Sequence, residues 1–445
     1  MNKLDSFGLA MPKILLPRSD IDLQKWAVIA CDQWTQDRHY WDEVKRIVGD
    51  SPSTFNLIFP EVFLEDGDSE EKIKNIHTTM RSYLERGVFA PPRGTCVYVE
   101  RSIAEKKRRG LVICIDLEKY DWRQTGTALI RSTEDTVKKR LPVRMNVRRG
   151  ATLELPHILL LIDDKEDTVL PMLESRAKQA PPLYDIPLMF DSGSVTGWAL
   201  DDEGFIANVF AEFFKKQIRV DEQSPFLFAV GDGNHSLASA KEVWEEYKYA
   251  HPDEKAPQHR FAMVEVENLY DKSIAFEPIH RIVCKKDNTD VNYSAVCTRL
   301  PLRTLVENMI SPLPLLDIRS LQSTEELIRL VREHSLNNRL GFVRNGGDCL
   351  LLEFENRGLA VAELQPLLDI FVQKMNYTID YIHGDKEVCT LIESDTDCIG
   401  IILPPFCKEG LFETIEKTGP LPRKSFSMGE AEEKRFYLEA RKLFY

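Results

Sequence analysis

A chain of 445 residues, 43% hydrophobic and 29% charged, has the makeup of a globular protein and is too long for one ordinary core, so two or three domains are expected. Its net charge of −13 argues against a general nucleic-acid-binding surface. No apolar segment approaches the roughly 20 residues of a bilayer-crossing helix, and Met1 to Asp20 lack a signal-peptide pattern, so no membrane partner is expected. Nine cysteines, an odd number with no C-x-x-C pair, favour reduced, mostly buried thiols in a cytoplasmic protein over disulfides or a zinc site.

In chain order, Trp26 to Asp32 reads as a strand whose last residue, Asp32, either lines a site or caps the next helix. Ser69 to Arg86 has the stripe of an amphipathic helix (Ile73, Ile76, Met80, Leu84), with Ser69 as its cap. Strands over Thr95–Arg101 and Gly110–Leu117 flank the basic run Glu105–Arg109, which reads as a solvated hairpin tip. Ala128 to Thr136 is a strand, a polar turn and a helix start, where Glu134 is either a positioned carboxylate or a first-turn acid. The basic stretch Lys138–Arg149 leads to Glu154 and His157, a pair short of the three or four ligands of a stable metal site. They precede a strongly apolar strand, Ile158 to Ile162, closed by Asp163 and Asp164; a turn is the default there over a Mg²⁺ site. Gln179–Pro187 reads as a loop, Gly193–Leu200 as part of a hairpin and Gly204–Lys216 as a helix.

The densest chemistry lies between Pro225 and Tyr249. Phe226 to Val230 is a short apolar run, a buried strand, and from Leu237 the pattern turns helical through Leu237, Ala240 and Trp244. Between them stand Gly231-Asp232-Gly233-Asn234-His235-Ser236. Two glycines permit a tight turn and close approach by a ligand, and the helix start offers N–H groups and the positive dipole end to an anion. Lys241 lies little more than a turn further on. The turn is a phosphate-site candidate without the spacing of a Walker A loop or a dinucleotide fingerprint; its plainer reading is a helix cap by Asn or Ser.

Arg260 to Asn268 reads as another strand. In Phe276–Arg281 proline is expected to stop regular structure and to present His280 and Arg281, the latter a bidentate clamp for an oxyanion. Cys284 to Tyr293 reads as a polar linker. Helix patterns (Val291–Leu300, Ser323–Leu330, Glu363–Met375) then alternate with strands (Arg339–Val343, Cys349–Phe354, Cys398–Leu403). Loops are expected at Asp380–Asp385 and at Leu421–Gly429, the second a basic, hydroxyl-bearing stretch. The expected class is α+β: a mixed α/β domain over 1–285 carrying the phosphate site, and a smaller α+β domain over 286–445 contributing loops to it.

Phe228 to Ala238 resembles the signature loop of the bacterial and archaeal DUF1015 family, and Glu277–Arg281 and Leu421–Ser425 resemble two further segments of that family. The family is similar in turn to the ParB/sulfiredoxin-like fold, in which a Gly-Asp-Gly-His-His-Arg or Gly-Glu-Arg-Arg loop at a helix start binds phosphates. That wider group includes free-serine kinases, in which an upstream Glu acts on the serine hydroxyl. Glu134 matches that Glu here, with Thr133 where relatives have His. Asn234 stands where the commoner loop has His, and Ser236 where it has Arg.

The resemblance implies transfer of a phosphoryl group from pyrophosphate, ATP or ADP to L-serine, giving O-phospho-L-serine. In this scheme Glu134 takes the hydroxyl proton, Asp232 holds Mg²⁺ and His235 acts on the donor. Gly233, Asn234, His235, Ser236, Lys241, Arg281, Lys424 and Ser425 contact phosphate, while Asp32, Arg131, His280 and His383 face the acceptor. A homo-oligomer is compatible with it. One rival is a nucleotide-binding switch with a macromolecular partner, which calls for a helix-turn-helix or basic face that the sequence lacks. The other is a phosphatase or nucleotide hydrolase with water as acceptor.

Overall fold

The computed structural model describes residues 4–443, apart from 36, 65, 124–126, 137, 139–140, 218–224, 255–256, 287–299, 312, 334–337, 356–358, 395–396 and 407. The helix expected from Val291, most of the polar linker before it, and Lys139 and Arg140 of the basic stretch lie outside the described residues. The chain divides into two compact units. One comprises Met1–Ala275, Ile415–Pro420 and Met428–Tyr445, the other Phe276–Thr414 and Leu421–Ser427. The break therefore falls at Phe276, before the 285/286 boundary expected from sequence, and Met428–Tyr445 belongs to the first unit.

The first unit is organised on a ten-stranded mixed sheet. Its strands are Leu9–Ala10 (β1), Cys96–Ile103 (β2), Lys106–Asp116 (β3), Tyr120–Asp121 (β4), Ile130–Ser132 (β5), Leu159–Ile162 (β6), Tyr184–Pro187 (β7), Ser194–Leu200 (β8), Phe228–Asp232 (β9) and Phe261–Asn268 (β10). Their spatial order is β7-β8-β2-β3-β10-β6-β9-β5-β4, with β1 against β3. Successive side chains enter opposite cores: Leu111, Ile113 and Ile115 one, Val112 and Cys114 the other. Both faces are covered, so these strands read as near-continuous apolar runs.

The basic hairpin has the solvated tip expected, with Glu105, Lys106 and Lys107 exposed, but the same alternation takes one of its residues out of solvent. Arg108 turns inward and meets Glu267 at 3.0 Å. Tyr184–Pro187, read as loop, is instead the edge strand β7, paired with β8 from Tyr184↔Gly197 to Pro187↔Ser194; proline is tolerated on an edge because no partner needs its missing N–H. Helices Ser69–Glu85 (α1), Leu141–Arg149 (α2), Glu203–Gln217 (α3) and Asn234–Ala250 (α4) pack around the sheet, and α4 commits Leu237, Ala240 and Trp244 to the core, the stripe read from sequence. The closing segment is stitched in by Phe436–Tyr437 pairing with Val28–Ile29 and by Ala440–Lys442 pairing with Lys13–Leu15 and Leu153–Glu154.

The second unit is an antiparallel sheet flanked by helices. Its strands are Phe276–Lys285 (β11), Leu315–Leu321 (β12), Arg339–Arg344 (β13), Asp348–Phe354 (β14), Tyr377–His383 (β15) and Cys398–Ile402 (β16), in the order β12-β14-β13-β16-β11-β15. Pro278 does not stop β11, because pairing with β15 begins only at Ile279 and with β16 only at Arg281. Asp380–His383, expected as loop, is the end of β15. Cys284 and Cys398 face each other across β11 and β16 and form a disulfide, which corrects the all-reduced expectation; Cys31, Cys96, Cys114, Cys349 and Cys389 are free thiols. The mixed helix-and-sheet class expected from sequence holds for both units. Among the described residues, no helix is long and apolar enough to cross a membrane.

Candidate functional site

β9 runs parallel to β5, with Phe228 opposite Ile130 and Val230 opposite Ser132. Both strands therefore end at the same edge of the sheet. β6 starts there in the opposite direction, with Leu159 opposite Asp232. Three turns are thus neighbours: 133–136 after β5, 232–236 after β9 and 156–158 before β6. In sheets of this kind ligands gather beyond the carboxyl ends of parallel strands.

The two glycines of the central turn serve different ends. Gly233 is the residue before α4 and sits at φ +80°, where a side chain is disfavoured, and a Cβ there would come within 3.2 Å of the Ile158 backbone. At Gly231 a Cβ would collide with Met428 and Leu161, so this glycine answers to packing and not to ligand approach. The first α4 bond runs from the Leu237 N–H to the Gly233 carbonyl, 3.0 Å. The amides of Asn234, His235 and Ser236 consequently have no partner within the helix itself.

The residue in the capping position is Gly233, which has no side chain to cap this helix. Asn234 reaches the turn after β5: its amide donates to Thr133 Oγ1 at 3.3 Å and its oxygen meets the Ser132 hydroxyl. Thr133 Oγ1 donates to the Val230 carbonyl, and the Ser132 hydroxyl lies 2.8 Å from the Glu134 carbonyl. This lattice holds half-buried Glu134 beside the start of α4. Ser236 Oγ lies 2.9 Å from His157 Nε2, in the turn before β6. Asp232 accepts the Gly233 N–H at 2.9 Å on one oxygen and meets Lys434 Nζ at 2.9 Å on the other.

The closing segment completes the site. Tyr437 OH lies 3.1 Å from His157 Nδ1 and accepts the Cys31 N–H at 3.2 Å. Arg435 Nε donates to the Pro156 carbonyl at 2.9 Å, while the same guanidinium meets Glu265 and, at 2.6 Å, Glu439. Because Phe436 and Tyr437 pair with Ile29 and Val28, the chain around Cys31 and Asp32 is carried to the same place. Burial pushes the His157 imidazolium towards deprotonation, with Arg144 and Arg435 acting in the same sense; Asp32 and Asp232 oppose it, and the net direction is down. Burial pushes the Asp232 carboxyl up, but Lys434, the Gly233 N–H and His157 outweigh it and hold it below the usual carboxylate range.

The candidates from sequence divide accordingly. Glu134, Asp232, Gly233, Asn234, His235 and Ser236 come together at one sheet edge, and Asp32 acts on His157 through its charge. Lys241 does not join them. It is buried, donates to the Leu117 carbonyl at 2.9 Å and pairs with Glu245 at 2.7 Å, because its position on α4 faces the sheet and not the helix start. Arg131 is likewise buried in β5, donating to the Ala128 carbonyl at 2.9 Å with its guanidinium 4.7 Å from the centre of the Phe226 ring.

The other five belong to the second unit. Arg281 is 0% exposed, donates to Gln365 at 3.1 Å and to the Ile279 carbonyl, and stacks over Tyr381; it is a core guanidinium where an open clamp was expected. His280, also 0% exposed, accepts the Leu403 N–H at 3.1 Å and sits 2.8 Å from Asp385, so an acceptor-facing role does not suit it. Ser425 is buried and donates to the Pro422 carbonyl at 2.7 Å. Lys424 and His383 are exposed.

Sequence reasoning missed Lys434 and Tyr437 and considered His157 only as a metal ligand. The signal for the first two was the charged and aromatic run Glu432–Tyr437 near the end of the chain, which no local pattern ties to residue 232. Glu154, the other half of the supposed metal pair, is buried between Arg148 at 2.5 Å and Arg441 at 2.6 Å. Asp232, expected to hold Mg²⁺, meets the Gly233 N–H on one oxygen and Lys434 on the other. Among the described residues no three acidic, His or Cys side chains gather as a metal site.

No curated protein matches the chain in sequence. Solved structures that align with it include a conserved hypothetical protein from Pyrococcus furiosus, at 10% identity over 77% of this chain and 98% of that one, TM-score 0.38. A free serine kinase in complex with AMP aligns at 11% identity over 75% and 92%, TM-score 0.38. SbnI with a C-terminal truncation, from Staphylococcus aureus, aligns at 9% identity over 72% and 82%, TM-score 0.36. Likeness at this level assigns no residue a role. The family model described as a protein of unknown function, DUF1015, matches residues 15–369, more than half of the chain, and the protein belongs to that family.

Proposed function

We propose that the protein is a phosphotransferase that moves a phosphoryl group from pyrophosphate or a nucleotide to the hydroxyl of a small metabolite, L-serine being the first acceptor to try. The observation that supports this reading is the convergence of Glu134 and the amide end of α4 at one sheet edge, with Asp232, Asn234 and Ser236 engaged in holding that edge together. Phosphoryl transfer asks little covalent chemistry of a protein beyond in-line positioning and neutralisation of oxygen charge. The amides of Asn234, His235 and Ser236 supply fixed partial positive charge for the donor oxygens. Lys434, already within the site on Asp232, adds a full one. Glu134, held across the turn from Asn234, takes the proton of the attacking hydroxyl.

No step is assigned to Mg²⁺. A metal arriving with the donor phosphates would meet Asp232 already paired with Lys434. The test is incubation of the pure protein with L-serine and pyrophosphate, ADP or ATP in turn, with O-phosphoserine measured by mass spectrometry. The expected result is product with at least one donor, and a rate about 10²–10⁴-fold lower in Glu134→Gln, the usual loss with a general base. Phosphate release that ignores the acceptor would replace this reading with the hydrolase.

A further inference from the structure

Ser236 makes a contact that phosphate binding alone does not call for. As the third residue of α4 it could have served the helix, yet its hydroxyl lies 2.9 Å from His157 Nε2. His157 is itself oriented from behind: Nδ1 is 3.1 Å from the Tyr437 hydroxyl, the two rings meet edge to face, and Arg435 holds the carbonyl of Pro156 next door. A nucleophile hydroxyl, a ring nitrogen and a third group fixing that ring form the arrangement by which weak oxygen nucleophiles are activated.

The Tyr437 oxygen accepts the Cys31 N–H and stands 3.1 Å from His157 Nδ1. With the ring proton on Nδ1, the tautomer that activation of the hydroxyl calls for, Nε2 presents its lone pair to the Ser236 O–H. Burial keeps the ring neutral and able to accept. A purely structural histidine could make the same two bonds. It would have no reason to place its partner hydroxyl, half-buried and still open to solvent, on the first turn of the helix whose amides face an incoming anion.

We propose that Ser236 is a covalent nucleophile, activated by His157, that carries the phosphoryl group as a phosphoserine between donor and acceptor. This rests on the phosphotransferase reading above and adds an intermediate to it. In the first half-reaction the Ser236 Oγ–P bond forms, the P–O bond to the leaving phosphate or nucleotide breaks with the electron pair staying on the leaving group, and the Oγ proton passes to His157 Nε2. In the second the acceptor oxygen attacks phosphorus and its proton goes to Glu134. Oγ leaves with the bond pair and recovers its proton from His157.

The test uses the full chain and ³²P-labelled pyrophosphate, or ATP labelled on its terminal phosphate, without acceptor. Acid quenching and peptide mapping follow, with the O-phosphoserine assay run in parallel. Acid-stable label on Ser236 is expected, absent from Ser236→Ala and formed about 10²–10⁴-fold more slowly in His157→Gln; adding L-serine should discharge it. Product from the wild type with no label on Ser236, and turnover in Ser236→Ala within about threefold of wild type, would overturn the nucleophile and leave direct transfer standing. Neither product nor label with any donor would overturn both. Label on Ser236 without O-phosphoserine would support the nucleophile and remove only serine as acceptor. If Ser236→Ala loses its folded circular-dichroism spectrum, the mapped position of the wild-type label decides the matter alone.

Discussion

Lys434 and Asp232 meet at 2.9 Å with the ammonium almost wholly buried. Removing one partner of such a pair leaves an uncompensated charge, at a cost of about 3–5 kcal/mol, whereas replacing both by uncharged groups of similar size often costs little. Lys434→Ala should therefore lower the urea midpoint clearly, and Lys434→Met combined with Asp232→Asn should recover most of the loss. Equal losses in the single and double variants would show that the pair does not carry that stability. Glu267 is the second residue to probe. It is 0% exposed, and burial raises its carboxyl to about 7 despite the neighbouring Arg108. The folded chain thus keeps a proton that the unfolded chain releases near its ordinary value, so this group's contribution is present at acid pH and is lost as pH rises through about 7. Glu267→Gln should accordingly be better tolerated at pH 8 than at pH 5 when its urea midpoint is compared with wild type. An identical difference at both pH values would contradict the shift.

The start of α4 shows at the scale of one element why part of the site was legible. An apolar run followed by a helical stripe reads as a buried strand entering a helix, and Leu237, Ala240 and Trp244 enter the core as their spacing requires. The use of the turn was not legible. Asn234 and Ser236 look like caps, and only pairing between β9 and β5 and the return of β6 supply the partners that draw them away. Lys241 failed for a related reason: distance along a helix says how far a residue is from its start, and the face decides where the side chain goes. Proline misled at β11, since Pro278 stands ahead of the pairings with β15 and β16. The turn itself gives a direct test. Gly233→Ala must hold φ near +80° with its Cβ against Ile158, which should cost about 1–3 kcal/mol and weaken donor binding, both readable from thermal melts with and without pyrophosphate. A melt within a degree of wild type would mean that the turn relaxes without loss.

At the scale of the whole chain, the informative event is the return of Met428–Tyr445 to the first unit. Residues far apart in the chain meet there: Lys434 with Asp232, Arg435 with Glu265, Tyr437 with His157 and Arg441 with Glu154. No local periodicity could reveal that, although the α+β class, most strands and the strand–turn–helix around Gly231 and Gly233 were all readable. A chain ending at Gly429 would leave Asp232, Glu265 and Glu154 without these partners and uncover the core positions of Phe436, Tyr437, Leu438 and Ala440. It should fail to fold in its first unit and be cut rapidly by protease. Protection equal to the full chain would contradict the structural role given to the tail.

The account turns on an anion docking at the amide end of α4. A crystal structure of the protein with pyrophosphate bound tests this most directly. The expected result is a phosphate whose oxygens lie about 2.7–3.2 Å from the amide nitrogens of Asn234, His235 and Ser236, with Glu134 facing the same space. Pyrophosphate seated elsewhere, with those three amides turned to water, would contradict it.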